Sequence, residues 1–147
     1  MILPTKPNAF GFPIFSFNRN EANWILFIGS TECPDCHSEV YLSKDFGDHW
    51  QLVNTWVTNC QFSSFSRSLS LFKDSIHCLE YKDKKRWPGQ EYPNQKAVLD
   101  LRMSSDLGQQ WNTVLESTND FQFTSQYLIA SSVRVLFALT FLIVIAS

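Results

Sequence analysis

Apolar residues occur along this chain in short runs, separated by polar stretches rich in turn-forming residues. Aromatic and polar residues are interleaved within the runs, and no stretch before residue 127 repeats apolar residues every three to four positions. Runs of this length between turn signals are typical of strands, so the pattern predicts an all-β chain. The predicted strands are 14–17, 24–28, 40–43, 50–54, 56–62, 75–81, 97–103, 111–116, 120–123 and 127–131.

One turn motif, S-x-D-x-G-x-x-W, occurs twice between these strands. The Asp is expected to accept hydrogen bonds from backbone N–H groups two residues on, and the Gly to adopt the positive φ that reverses the chain. The Trp then begins the return strand and covers the turn. This motif is the Asp-box, and we interpret it as structural because neither copy has the other carboxylates of a calcium loop. Its residues are Ser43, Asp45, Gly47 and Trp50, then Ser104, Asp106, Gly108 and Trp111.

The two Asp-boxes lie 61 positions apart, Ser104 against Ser43, with four predicted strands between them. A four-stranded antiparallel unit that repeats is typical of a β-propeller blade, and a polar loop at 82–95 explains a period above the common ~40–50 residues. The spacing therefore predicts a partial propeller of about two blades over 14–132. An extended lead-in at 1–13 precedes it, and an apolar tail at 133–147 follows it.

Composition excludes some functions. The chain has 147 residues, 44% of them hydrophobic, which is enough for one modest core. A net charge of −2 gives no electrostatic footprint for nucleic acid. We recognise neither a signal peptide nor an N-x-S/T glycosylation site.

Four cysteines admit three full disulfide pairings, and they also admit a metal site. Cys33, Cys36 and His37 form C-x-x-C-H, the attachment pattern of a c-type haem. We do not favour haem, because the motif sits between predicted strands rather than helices. A zinc site using Cys33, Cys36 and two further ligands is a second alternative. Disulfides or free thiols remain the simplest interpretation, so we expect no metal and no cofactor.

An Asp-box sialidase is the enzyme alternative. Such a site needs several converging Arg residues with a Tyr and a Glu, and the chain's arginines show no such constellation. We therefore expect no catalysis and no small-molecule substrate. The arginines are Arg19, Arg67, Arg86 and Arg102.

The stretches IFSFNRNEANWILFIG, EVYLSKDFGDHWQLV, WVTNCQF and DSIHCLEY resemble the lumenal domain of sortilin-type receptors, the fungal vacuolar protein-sorting receptors in particular. The resemblance covers roughly 12–132. It implies part of a ten-bladed propeller that binds soluble hydrolase precursors as protein cargo in the late Golgi, for delivery toward the vacuole. It also implies a membrane protein of the Golgi or endosome. A truncated or degenerate copy without activity is the alternative, since no cysteine-rich module or cytoplasmic tail is recognised.

The lumenal setting implied by the resemblance favours disulfides over a metal site. Cys60 and Cys78 would then join successive antiparallel strands, at a gain of ~3 kcal/mol in stability, which leaves Cys33 to pair with Cys36.

The tail at 133–147 is apolar apart from Arg134 and Thr140. Extended back to Tyr127 it reaches the ~20 residues of a spanning helix, so we expect residues 127–147 to associate with membranes.

Overall fold

The computed structural model describes residues 1–63, 74–83, 98–123 and 128–132, and in these ranges the chain consists of strands, turns and loops without a helix. All strand pairings are antiparallel. This confirms the predicted all-β class. The eleven strands are β1 (Lys6–Pro7), β2 (Phe15–Phe17), β3 (Ile25–Ser30), β4 (Ser38–Ser43), β5 (Gln51–Thr55), β6 (Val57–Phe62), β7 (Ile76–Tyr81), β8 (Leu99–Ser104), β9 (Asn112–Leu115), β10 (Thr118–Phe123) and β11 (Leu128–Ser132).

The strands form three sheets whose order follows the chain. The first sheet runs β1-β3-β4-β5, and β2 also pairs with β3. Since β4 pairs with β3 over its whole length, β1 and β2 share the other edge of β3. The second sheet runs β6-β7-β8-β9, and the third contains β10 and β11. Sheets of four or five strands in meander order agree with the predicted partial propeller.

Two cores fill the spaces between successive sheets. The first lies between sheets one and two, and the second lies between sheets two and three. The first comprises Leu26, Ile28, Val40, Leu42, Val53, Val57, Cys60, Phe62, Ile76 and Cys78. The second comprises Leu79, Leu101, Phe121, Leu128 and Ala130. The second sheet therefore presents one face to the first sheet and the other to the third, which explains why β7 is buried at five of its six positions.

The predicted strand starting at Trp24 begins one residue later and runs past Gly29, where we expected it to end. The reason is the lead-in, which forms β1 against this end of β3, with Pro7 opposite Gly29. A Cβ on Gly29 would come within 2.0 Å of the Thr5 hydroxyl oxygen and 2.8 Å of the Lys6 carbonyl oxygen. The absence of a side chain is what lets the lead-in approach and extend the sheet.

Two sequence predictions fall largely outside the described residues: the polar loop at 82–95 and the apolar tail at 133–147. Of the segment expected to associate with membranes, only Leu128–Ser132 is described, and it forms β11 against β10. Among the described residues there is no helix long and apolar enough to cross a membrane.

Candidate functional site

The serine organises each Asp-box turn. In the first turn the Ser43 hydroxyl accepts a hydrogen bond from the Gly47 N–H and donates one to the Asp45 carboxylate, both at 2.8 Å. The second turn repeats both bonds at the same distances, 61 residues later. Both serine side chains are buried. One hydroxyl thus satisfies a backbone donor and fixes the carboxylate, a pair of tasks that needs both a donor and an acceptor.

The aspartate closes the turn over a longer span than we predicted. Asp45 accepts from the N–H of His49, four residues on, at 2.9 Å, and Asp106 does the same with Gln110. Two consecutive residues in each turn have positive φ: Phe46 and Gly47 in the first, and Leu107 and Gly108 in the second. The chain therefore reverses over more residues than a single left-handed glycine would need. The prediction of acceptance two residues on was wrong for this reason.

These hydrogen bonds set the charge state of the turns. The N–H of His49 lowers the pKa of Asp45 to about 2, with the His49 side chain as a further cause. The pKa of Asp106 is lowered in the same direction, mainly by the Gln110 N–H. Both carboxylates are therefore ionised at neutral pH, and the hydrogen bonds that lower their pKa come from groups of their own turn. This arrangement supports the structural interpretation of the Asp-box.

The two tryptophans reach beyond their own turns. The Trp111 indole N–H donates to the carbonyl oxygen of Val53 in β5 and to that of Gly108, both at 3.2 Å. The Trp50 indole donates to Ile2 in the lead-in at 2.9 Å. We predicted a plug over the local turn, but each Trp also contacts a segment earlier in the chain. The second Asp-box therefore links the second sheet to the first, and the first Asp-box holds the lead-in.

The four cysteines form two disulfides. Cys60 and Cys78 are directly opposed in β6 and β7, with 4.1 Å between their Cα atoms, and both are buried in the first core. Cys33 bonds Cys36 in the loop between β3 and β4. A cysteine held in a disulfide supplies neither a thiolate for zinc nor a thioether for haem.

His37, the last residue of the C-x-x-C-H motif, lies flat against Trp56 with 4.5 Å between ring centroids. Its backbone N–H donates to the Thr31 hydroxyl. Within the described ranges no group of three or more His, Cys, Asp or Glu side chains could hold a metal ion.

Arginines give no catalytic cluster that we can identify in the described part of the chain. Arg102 donates from its Nη2 to the Trp111 carbonyl oxygen at 2.9 Å, and its Nε lies 3.7 Å from a Glu80 carboxylate oxygen. It thus ties β8 to the second turn and to β7. Arg19 is exposed in the loop between β2 and β3. Arg67 and Arg86 lie outside the described residues.

One exposed apolar surface went unnoticed in the sequence. β2 lies on the edge of the first sheet, where the Phe15 and Phe17 side chains are 40% and 65% exposed and their ring centroids are 6.2 Å apart. In the described residues β2 pairs with β3 alone. The pattern F-S-F indicates that the two aromatic side chains share one face of the strand. The same pattern is typical of a half-buried strand, so it does not indicate that this face is exposed.

His77 is a buried titratable group that sequence reasoning treated as an ordinary strand residue. Its ring meets Phe123 edge-on, with 4.8 Å between centroids, and its Nδ1 has no hydrogen-bond partner among the described residues. Burial lowers the pKa of His77 to about 3, so the ring is neutral at physiological pH. The run SIHCLEY could not reveal this, because only packing on both faces of β7 buries the histidine.

Comparisons with known proteins agree with this architecture. The family described as Sortilin-Vps10 (Sortilin, neurotensin receptor 3) matches residues 1–136. Proteins named vacuolar protein sorting/targeting protein 10 are 29% identical over 131 residues in Aspergillus fumigatus, 31% over 134 in Emericella nidulans and 38% over 64 in Schizosaccharomyces japonicus. The matches cover 88%, 87% and 40% of this chain, and 8%, 8% and 4% of those relatives. The chain thus spans under a tenth of their length.

Proposed function

The chain belongs to the Sortilin-Vps10 family, which confirms the resemblance drawn from its motifs, and we propose that it acts by binding a protein rather than by catalysis. The finer proposal is a receptor fragment that recognises soluble vacuolar hydrolase precursors on the route from the Golgi to the vacuole. The family match over residues 1–136 carries this proposal. The relatives' name, vacuolar protein sorting/targeting protein 10, supports the cargo class.

The edge of β2 is our candidate for the contact with cargo. An extended peptide can add to a free strand edge through main-chain hydrogen bonds, and apolar side chains beside that edge supply selectivity. Phe15 and Phe17 provide such a surface on a strand that pairs along one edge in the described residues. We therefore infer that the recognised segment is extended and carries apolar side chains at alternate positions.

The test is a binding measurement between the purified chain and the propeptides of vacuolar hydrolase precursors. Replacing Phe15 and Phe17 by Ser together should weaken binding at least tenfold, which is about 1.4 kcal/mol. Phe46→Ser is the matched control, because Phe46 is a 63% exposed Phe in the first Asp-box turn and is not part of β2. Equal affinity in the Ser variants would exclude the β2 edge. A folded chain that binds no precursor would favour the degenerate copy.

The enzyme and haem alternatives have a direct test. Purified protein, produced with a haem-maturation system, should neither release fluorophore from a sialoside nor stain for covalent haem. Release of fluorophore would establish the sialidase alternative, and a haem stain would establish the cytochrome alternative.

We also propose that the apolar tail at 133–147 associates with membranes. The apolar residues should at least offset Arg134, which stands near the start of the tail. Each of them gains ~0.3–0.6 kcal/mol in lipid, and even at the centre of a span the charge would cost only ~2.5–3.5 kcal/mol. A tail that begins at Tyr127 would have to remove Leu128–Ser132 from β11. Carbonate extraction of the tagged chain should leave it in the pellet, and recovery in the supernatant would contradict the proposal.

A further inference from the structure

The two disulfides lie in opposite environments. Cys60 and Cys78 are 1% and 0% exposed inside the first core. Cys33 is exposed and Cys36 is half-buried, in the loop 31–37 between β3 and β4. A thiolate opens a disulfide by attacking one sulfur directly, so the rate depends on access to that sulfur. The loop disulfide is therefore far more open to thiols than the core disulfide.

The loop keeps its shape through contacts that involve no sulfur. The Thr31 N–H donates to the His37 carbonyl oxygen at 3.0 Å, and the His37 N–H donates to the Thr31 hydroxyl at 2.8 Å. The His37 ring is stacked on Trp56, outside the loop. The disulfide itself joins residues only 3 apart, and a cross-link that closes so short a loop adds little stability. It can therefore open and close while β3 and β4 stay paired.

An acidic side chain stands beside the accessible sulfur. Asp35 lies between the two cysteines and is exposed. Glu32 precedes Cys33, but its carboxylate lies 3.5 Å from the Lys6 ammonium, which partly offsets its charge. Residues two positions apart are separated by at most ~7 Å, which is within the Debye length of ~8 Å at physiological ionic strength. A thiol that attacks Cys33 therefore experiences the negative charge of Asp35.

We propose that Cys33–Cys36 is a thiol–disulfide exchange site whose substrates are thiols carried next to a positive charge. The incoming thiolate bonds to the exposed Cys33 Sγ, and Cys36 leaves as the thiolate and takes up a proton from water. A second thiolate then attacks the sulfur of the first, which forms the product disulfide and releases Cys33 as the thiolate. Two substrate thiols are thus oxidised to one disulfide, and the loop disulfide is reduced to two thiols. The site lies outside the β2 edge, so the proposal does not depend on cargo binding.

The first test exposes the oxidised chain to cysteamine, whose thiol lies next to an ammonium group, with alkylation and peptide mass spectrometry to follow each cysteine. The Cys33–Cys36 bond should open at least about tenfold faster than Cys60–Cys78, through a mixed disulfide on Cys33. Hydrogen exchange in β3 and β4 should stay unchanged on opening. Equal opening rates, a mixed disulfide on Cys36, or faster exchange in both strands would overturn the proposal.

The second test measures charge selectivity against 2-mercaptoethanesulfonate, whose thiol lies next to a sulfonate. Each rate is divided by the rate of the same thiol with a small uncharged disulfide. At low ionic strength cysteamine should be favoured about threefold, and Asp35→Asn should remove most of this preference. Asp48→Asn, the same substitution at an exposed aspartate of the first Asp-box turn, is the matched control and should keep it. An unchanged preference in Asp35→Asn, or an equal fall in Asp48→Asn, would contradict the charge selection.

Two peptides separate protein thiols from small free thiols as substrates. Each contains one Cys, flanked by lysines in one peptide and by glutamates in the other. Faster exchange with the lysine peptide would support the proposal and identify protein segments as substrates. A preference for cysteamine without a preference between the peptides would support it for small thiols. No preference in either pair would overturn it.

Discussion

At the scale of single residues, the Asp-box depends on its serine more than on the aspartate that names it. Ser43 and Ser104 are almost fully buried, and each hydroxyl both accepts a backbone N–H and donates to a carboxylate. Alanine would remove both bonds and leave the glycine N–H without a partner. A buried donor left unsatisfied costs about 1–3 kcal/mol.

Ser104→Ala should therefore lower the free energy of unfolding by about 1–3 kcal/mol in denaturant titrations. Ser105→Ala is the control, because Ser105 is exposed in the same turn and should change stability by less than about 0.5 kcal/mol. Equal effects of the two substitutions would show that the hydroxyl bonds are dispensable.

His77 predicts how stability responds to acid. Its pKa is about 3 when folded, against 6.5 in the unfolded chain, so the unfolded state binds the proton first as pH falls. The contribution of the neutral His77 ring to the free energy of unfolding is complete above pH 6.5 and declines steadily from there toward pH 3. At pH 5 the loss is about 2 kcal/mol relative to pH 7. His77→Leu should flatten this part of the pH profile, as measured by unfolding at both pH values.

His49 provides the contrast for that experiment. Its ring Nδ1 lies 2.6 Å from the Asp45 carboxylate, a contact that raises the pKa of this exposed histidine. A raised pKa stabilises the fold below the unfolded pKa, and the contribution disappears as pH rises through the folded value. His49→Gln should therefore leave the acid-induced loss in place. If the pH profile flattened in His49→Gln and not in His77→Leu, the acid-induced loss of stability would come from His49, and the assignment to His77 would be wrong.

At the scale of elements, the seating of the second Asp-box on β5 depends on a residue with no side chain. Gly108 combines a φ of +92° with close contact to Val53. Gly11 has a φ of +87° and nothing within 4 Å of an added Cβ. The two glycines therefore separate the cost of a left-handed backbone from the cost of a collision between elements.

Gly11→Ala should cost about 1–2 kcal/mol, the price of the left-handed conformation alone. Gly108→Ala should cost about 1–3 kcal/mol more, from overpacking against Val53. Combining Gly108→Ala with Val53→Ala should give less than the sum of the two losses, because space is restored. Strict additivity in the denaturation data would mean that the turn and β5 are not in contact.

The disulfide between β6 and β7 is the second element-scale feature with a measurable effect. It joins residues 18 apart within the first core, whereas Cys33 and Cys36 are 3 apart in a loop. Replacing Cys60 and Cys78 by Ala together should lower the free energy of unfolding by ~3 kcal/mol. Replacing Cys33 and Cys36 by Ala together removes a cross-link that closes a far shorter loop, so it should cost less. A larger loss from the Cys33 and Cys36 replacements would contradict the register in which Cys60 stands opposite Cys78.

At the scale of the whole molecule, protection against unfolding should fall along the chain. β3 pairs on both edges and contributes Leu26 and Ile28 to the larger core, whereas β10 and β11 form a two-stranded sheet beside the smaller one. Native-state hydrogen exchange should therefore be slowest in β3 and β7 and fastest in β10 and β11. Uniform protection across the three sheets would contradict two separate cores.

Much of this architecture could be predicted because its signals are local. The apolar runs located β2 to β11 to within two residues at each end, whereas β1 lies in the lead-in and was not predicted as a strand. The repeated turn motif indicated the order of strands within a blade. Apart from the aspartate bonds within the Asp-box turns, the contacts that lay beyond prediction are between distant residues. Nothing near Trp50 or Trp111 in sequence indicates that their indoles bond to Ile2 and Val53. The burial of His77 and the exposure of Phe15 likewise depend on which sheet covers each strand.

The direction in which the tryptophans reach has a consequence for synthesis. Trp50 bonds to a residue 48 positions earlier and Trp111 to one 58 positions earlier, so each turn attaches to chain that has already been made. A polypeptide leaving the ribosome from its N-terminus therefore offers every new turn a finished receiving segment. We expect the units to be added in order during translation, each locked onto its predecessor before the next one emerges.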